Sequence, residues 1–103
     1  MTEKIMILKE SLIKSQWPKC NVLADELLSI GTEEAKNALV DALKAKRHHI
    51  RTASIKALAG FKDKSVVKII ENHLSDSAYE TRIEAKNAIK LLTGVDVKTS
   101  TGE

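Results

Sequence analysis

Two apolar patterns return in this chain at a spacing of about thirty residues, and that repetition narrows the fold more than any other feature. Adding 31 to Ala35, Ala38, Leu39 and Leu43 gives Val66, Ile69, Ile70 and Leu74, all apolar. Subtracting 31 from Ala38, Leu39 and Leu43 gives Ile7, Leu8 and Leu12, while Ala35 lands on Lys4, so the first copy is frayed at its start. A second series follows within each copy: Ile50, Ser54, Ala57, Leu58 and Phe61 become Thr81, Ala85, Ala88, Ile89 and Leu92, and Arg51 becomes Arg82. The spacing inside each series is helical, so each copy holds two helices. A unit this small cannot bury its own apolar face, and self-similarity at this period marks units stacked so that neighbours bury it for one another. The expectation is an all-α chain of six helices in three antiparallel hairpins, wound as a right-handed solenoid.

The segments IRTASIKALAGF from Ile50 and TRIEAKNAIKLL from Thr81 carry an Arg near their start, then small and apolar residues at helical spacing. They resemble the second helix of a HEAT repeat of the short, lyase-like type, and the resemblance covers roughly residues 5 to 94. It is close in copies two and three. In copy one Cys20, Asn21, Ala24, Leu27 and Leu28 stand at the corresponding positions and the Arg is absent. The resemblance implies an α-solenoid of three HEAT-like helical hairpins. It also implies an Asp in the turn between the two helices, paired with an Arg; Asp76 fits that place, whereas copy two has Ala45 there.

Local signals set the bounds. Helix one is expected from about Glu3 to Ser15, with Thr2 as N-cap and Ile5, Leu8 and Leu12 on one face. The run Ile5 to Leu8 is denser than one face needs, and it covers the end of the core or meets another molecule. Pro18, whose missing N–H costs nothing in a first turn, opens helix two, and Trp17 packs into the preceding turn. Helix two turns Leu23, Ala24, Leu27 and Ile30 inward and stops at Gly31. Thr32 caps helix three, which runs to about Lys46, with Glu33 and Glu34 complementing the positive end of its dipole. Helix four spans about His48 to Ala59, helix five about Lys64 to Leu74 behind Asp63, and helix six about Ala78 to Thr93 ahead of Gly94. Residues 1–94 thus form one repeat domain, with copies at about 3–31, 32–61 and 62–94, and 95–103 form a flexible tail.

With one Phe, one Tyr and one Trp among 103 residues, the core has to be aliphatic, which suits closely packed helices. No apolar run approaches a membrane span, and Met1, Thr2, Glu3 and Lys4 lack a signal peptide's basic-then-apolar order. The expectation is a soluble, cytoplasmic protein. A single Cys20 on an apolar helix face reads as a structural thiol. The net charge of +3 is concentrated: Lys44 to Lys64 holds seven basic residues and one acidic.

That cluster, at Lys44, Lys46, Arg47 and Arg51, is the strongest local feature, and it makes nucleic acid or another polyanion the second reading of partner class. It lacks interleaved aromatics and a Gly-rich phosphate cradle. His48 and His49 are adjacent on a helix, about 100 degrees apart, which argues against one shared metal ion. No nucleophile elbow, zinc helix or phosphate loop is present, so no enzyme, metal or cofactor is expected. The first reading is a protein-binding scaffold module of the HEAT type. Its second helices line the concave side with Thr52, Lys56, Ile83, Lys86 and Lys90, and the basic turn lies at one edge. The sequence sets no oligomeric state.

Overall fold

The computed structural model describes residues 2–101, which contain six α-helices and no strand. They are α1 (Thr2–Lys14), α2 (Lys19–Ile30), α3 (Glu33–Ala42), α4 (His48–Gly60), α5 (Val67–Glu71) and α6 (Tyr79–Thr93). Short connections make successive helices antiparallel neighbours, giving the hairpins α1–α2, α3–α4 and α5–α6. Between hairpins, α1 rests on α3, α2 on α4 and α4 on α6. The second helices therefore lie side by side as one layer, and the particle is flattened, 40 × 25 × 17 Å. No helix among the described residues is long and apolar enough to cross a membrane.

The stops and caps follow from local chemistry. Gly31 and Gly94 take the left-handed conformation with φ of 70° and 78°, which lets each turn the chain and return its N–H to the last carbonyls of α2 and α6. The Thr32 hydroxyl accepts from the Ala35 N–H at 3.1 Å and so opens α3. Pro18 follows a cis peptide bond and precedes α2 rather than lying within it.

Three elements differ from the sequence-based expectation. Helix α3 ends at Ala42, not near Lys46; Leu43, Lys44 and Ala45 continue as tight turns whose N–H groups reach carbonyls three residues back. Helix five is an α-helical core, Val67–Glu71, between 3-10 turns at Lys64–Val66 and Asn72–Ser75. Its Val66, Val67, Ile69 and Ile70 are β-branched, and Asn72 and Ser75 are poor helix formers, so the segment gains little from regular α-geometry. The third difference is the segment after Gly94. Val97 packs on the core, Thr99 is only 4% exposed and the Ser100 N–H donates to the Leu74 carbonyl at 3.0 Å. Val97, Thr99 and Ser100 thus hold this segment against the folded body.

The core is the predicted aliphatic one, with Leu12, Leu27, Leu39, Ile50, Ile55, Leu58, Ile70 and Ile89 fully buried. The first copy, however, keeps a spacing of 30, not 31. Ile5, Leu8 and Leu12 occupy the buried places of Ala35, Ala38 and Ala42, whereas Ile7 is 59% exposed. A spacing of 30 and then 31 puts Cys20, Ile50 and Thr81 at equivalent buried positions, as well as Ala24, Ser54 and Ala85. The Ser54 hydroxyl donates to the Ile50 carbonyl, which satisfies the one polar group in that small-residue row.

Candidate functional site

The basic turn is built as much for structure as for binding. The Arg51 guanidinium donates to the carbonyls of Ala45 and Lys46 at 2.9 and 2.8 Å, and to both carboxylate oxygens of Asp76 at 2.8 Å each. Arg82, one repeat on, donates to the carbonyls of Asp76 and Ser77, the positions equivalent to Ala45 and Lys46. Copy one has Asn21 in this place, and Arg47 from copy two reaches across to the carbonyls of Lys14 and Ser15 at 3.2 and 2.9 Å. In each repeat the carbonyls at the turn that follows the first helix are thus held by a guanidinium. Two of the four residues of the expected basic cluster, Arg47 and Arg51, are engaged in this way. Lys44 and Lys46 are exposed and line, with Lys14, Ile13, Ala45 and Arg47, a groove of about 540 Å³.

Asp76 joins the last two repeats. Its side chain is 6% exposed, and besides Arg51 it accepts from the Ala78 N–H at 2.9 Å and meets His73 Nδ1 at 3.1 Å. Burial alone pushes its carboxyl up, but the Arg51, Ala78 and His73 contacts outweigh that and hold it down at about 2. A second junction is made by Lys36, whose ammonium bridges Asp63 and Glu33 at 2.5 and 2.6 Å. Hydrogen bonds from Lys36 and from the Ser65 backbone depress the Asp63 carboxyl well below its ordinary range.

The α4–α6 surface brings together the other expected residues. Thr52 turns its hydroxyl to Thr81 at 2.9 Å, so it ties the two helices together rather than presenting a free group. Lys56 is exposed and faces Glu84, whose carboxyl burial pushes up while Lys56 opposes that shift. Ile83 and Lys86 are half-buried, and the exposed Lys90 pairs with Asp96 at 2.9 Å. Two helical turns before Lys56 on α4 and one turn before Glu84 on α6, His49 and Glu80 face each other at 3.8 Å across the same seam. The result is a strip in which His49 and Lys56 of α4 stand beside Glu80 and Glu84 of α6, with the half-buried Ile83 on the same helix.

The model of HEAT repeats matches residues 9–90 of the chain. The chain belongs to the HEAT-repeat family. Among curated proteins none matches it. HEAT repeats generally serve protein–protein interaction or scaffolding and are typically non-enzymatic. In this HEAT-repeat chain the second helices lie side by side, and guanidinium groups hold the carbonyls of the turns.

Two placements depart from the sequence reading. Trp17, expected to pack into its turn, is 61% exposed, with its ring centroid 6.0 Å from that of His49. Gln16, Trp17, Lys46, Arg47, His48 and His49 line a second groove of about 450 Å³. Glu80 is the residue the sequence reading missed beside the two histidines, and the repeat itself supplies the signal, since adding 31 to His49 gives Glu80. Although successive helical positions diverge, the His48 and His49 rings lie with centroids 4.0 Å apart, stacking of α6 on α4 brings a carboxylate to them, and one ligand atom from each of the three lies within 4.8 Å of the others. Cys20 is fully buried, its thiol 3.6 Å from the His49 carbonyl, and burial raises its pKa, which disfavours the reactive thiolate.

Proposed function

We propose that this HEAT-repeat chain is a non-enzymatic scaffold module that binds a protein partner through the exposed face of α4 and α6. The observation that carries this reading is the seam between those helices. Thr52 and Thr81 lock it together at 2.9 Å, and it offers a fixed row of opposite charges with Ile83 half-exposed among them. Fixed polar groups around an apolar contact are what a specific protein interface needs, because they orient a partner while the apolar residue supplies burial. Lys56, Lys86 and Lys90 bias the face toward an acidic segment. Charge reversal in a Lys56→Glu, Lys86→Glu variant should abolish capture of the partner while the chain stays folded by circular dichroism. Partner capture that survives this variant and is lost on changes in the basic turn overturns the assignment.

A second reading is favoured by one observation: the groove at Ile13, Lys14, Lys44, Ala45, Lys46 and Arg47 has no carboxylate in its lining. Such a groove suits nucleic acid or another polyanion, whose binding falls steeply with salt. Titration of duplex and single-stranded oligonucleotides at low and physiological salt, beside a Lys44→Glu, Lys46→Glu variant, separates the two. Salt-sensitive binding that the variant loses favours the polyanion; no binding at low salt removes it.

A further inference from the structure

We infer that His48, His49 and Glu80 form a binding site for a divalent transition-metal ion of the Zn²⁺ type at the junction of the second and third repeats. Two observations carry this independently. One ligand atom from each residue lies within 4.8 Å of the other two, with the imidazoles supplied by the first turn of α4 and the carboxylate by the first turn of α6. The second is the state of His49 Nδ1, which is shut off from solvent and has no hydrogen-bond partner. It points at Glu80 Oε1 from 3.8 Å, too far for a hydrogen bond.

That gap has the right size for an ion. With zinc–nitrogen and zinc–oxygen bonds of about 2.0–2.2 Å, two ligands of one tetrahedral ion stand about 3.4 Å apart. A small rotation of the exposed Glu80 side chain closes the difference. Two imidazoles and one carboxylate form a donor set of the borderline-soft kind that suits zinc, copper and nickel rather than magnesium or calcium. Both histidines also line the groove of Trp17, Lys46 and Arg47, from which water or a partner's side chain would complete the shell. The positive ends of α4 and α6 oppose the cation, which holds the site to modest affinity. An ion here would clamp α4 to α6 at the start of the seam that the proposed partner surface occupies, but the site stands whether or not that surface binds a protein.

The chain carries its own controls. It has three histidines, and His73 lies apart, held by Asp76. Zn²⁺ is titrated into the tag-free chain by calorimetry, while the side-chain imidazole signals are followed by ¹⁵N NMR. The expected result is one ion per chain, with shifts at His48 and His49 and none at His73. His49→Ala loses the binding heat, Glu80→Gln weakens it and Cys20→Ser keeps it, each with an unchanged circular dichroism spectrum. Absence of binding heat, shifts centred on His73, full binding by Glu80→Gln, or loss of binding in a folded Cys20→Ser overturns the assignment, the first leaving His49 and Glu80 as an ion pair only.

Discussion

Arg51 on α4 grips Asp76 with two hydrogen bonds of 2.8 Å, and the same guanidinium holds the carbonyls of Ala45 and Lys46 in the turn that joins α3 to α4. One side chain therefore fixes a turn within the second repeat and docks the third onto it. Asp76→Ala would leave Arg51 largely buried without its counter-charge, and removal of one member of a buried pair costs about 3 kcal/mol or more. Urea denaturation should report that loss. A change below about 0.5 kcal/mol, the ordinary range for surface substitutions, would mean that the pair is incidental.

Asp76 also gives the fold an acid limit. Its folded pKa of about 2 lies below the ordinary Asp value, so its contribution is complete above about pH 4 and is lost as pH falls through the folded value. At about 1.4 kcal/mol per pH unit of difference, the contribution is about 2–3 kcal/mol. Wild type should lose that much more stability than Asp76→Asn between neutral pH and about pH 2. Parallel pH profiles of the two proteins would contradict the assignment.

Leu39 and Ile70 are fully buried at repeat-equivalent places on the first helices of copies two and three. A charge at either has no partner, and its desolvation exceeds the whole stability of about 5–15 kcal/mol expected for a domain. Leu39→Asp and Ile70→Asp should each be unfolded by circular dichroism at room temperature. Wild-type melting in either would break the repeat register.

The segment after Gly94 should behave as part of the fold. The Ser100 N–H is bonded to the Leu74 carbonyl, and Thr99 is buried. Hydrogen exchange should find the Ser100 amide protected relative to that of the exposed Lys98. Equal, unprotected exchange at both would place this segment outside the folded unit.

Much of this was legible in the sequence because stacking translates one pattern along the chain. The positions of Leu39, Ile50, Leu58, Ile70 and Ile89 follow from helical spacing plus the repeat, and Gly31, Thr32 and Gly94 announce their turns by residue type. The frayed first copy was harder, because its spacing is one residue shorter and Ile7 and Leu8 are both apolar; only burial distinguishes the exposed one. Helix five was overextended because hydrophobic spacing does not separate 3-10 from α geometry over a few residues. The roles of Arg47 and Arg51 were hidden for a different reason. A basic run reads as a charged surface until the carbonyls it caps are known, and those of Lys14 and Ser15 lie in another repeat. Glu80 is hidden from local spacing because it stands one repeat, 31 residues, beyond His49, and only the stacking of α6 on α4 brings the two together.

The central functional claim is that the α4–α6 face, not the basic turn, meets the partner. Its most direct test places a photo-crosslinking amino acid at Ile83 or at Lys46 and irradiates cells producing each protein. The account predicts a discrete protein adduct from position 83 that the Lys56→Glu, Lys86→Glu background removes, with none from position 46. Adducts confined to position 46, whether with protein or nucleic acid, would contradict it.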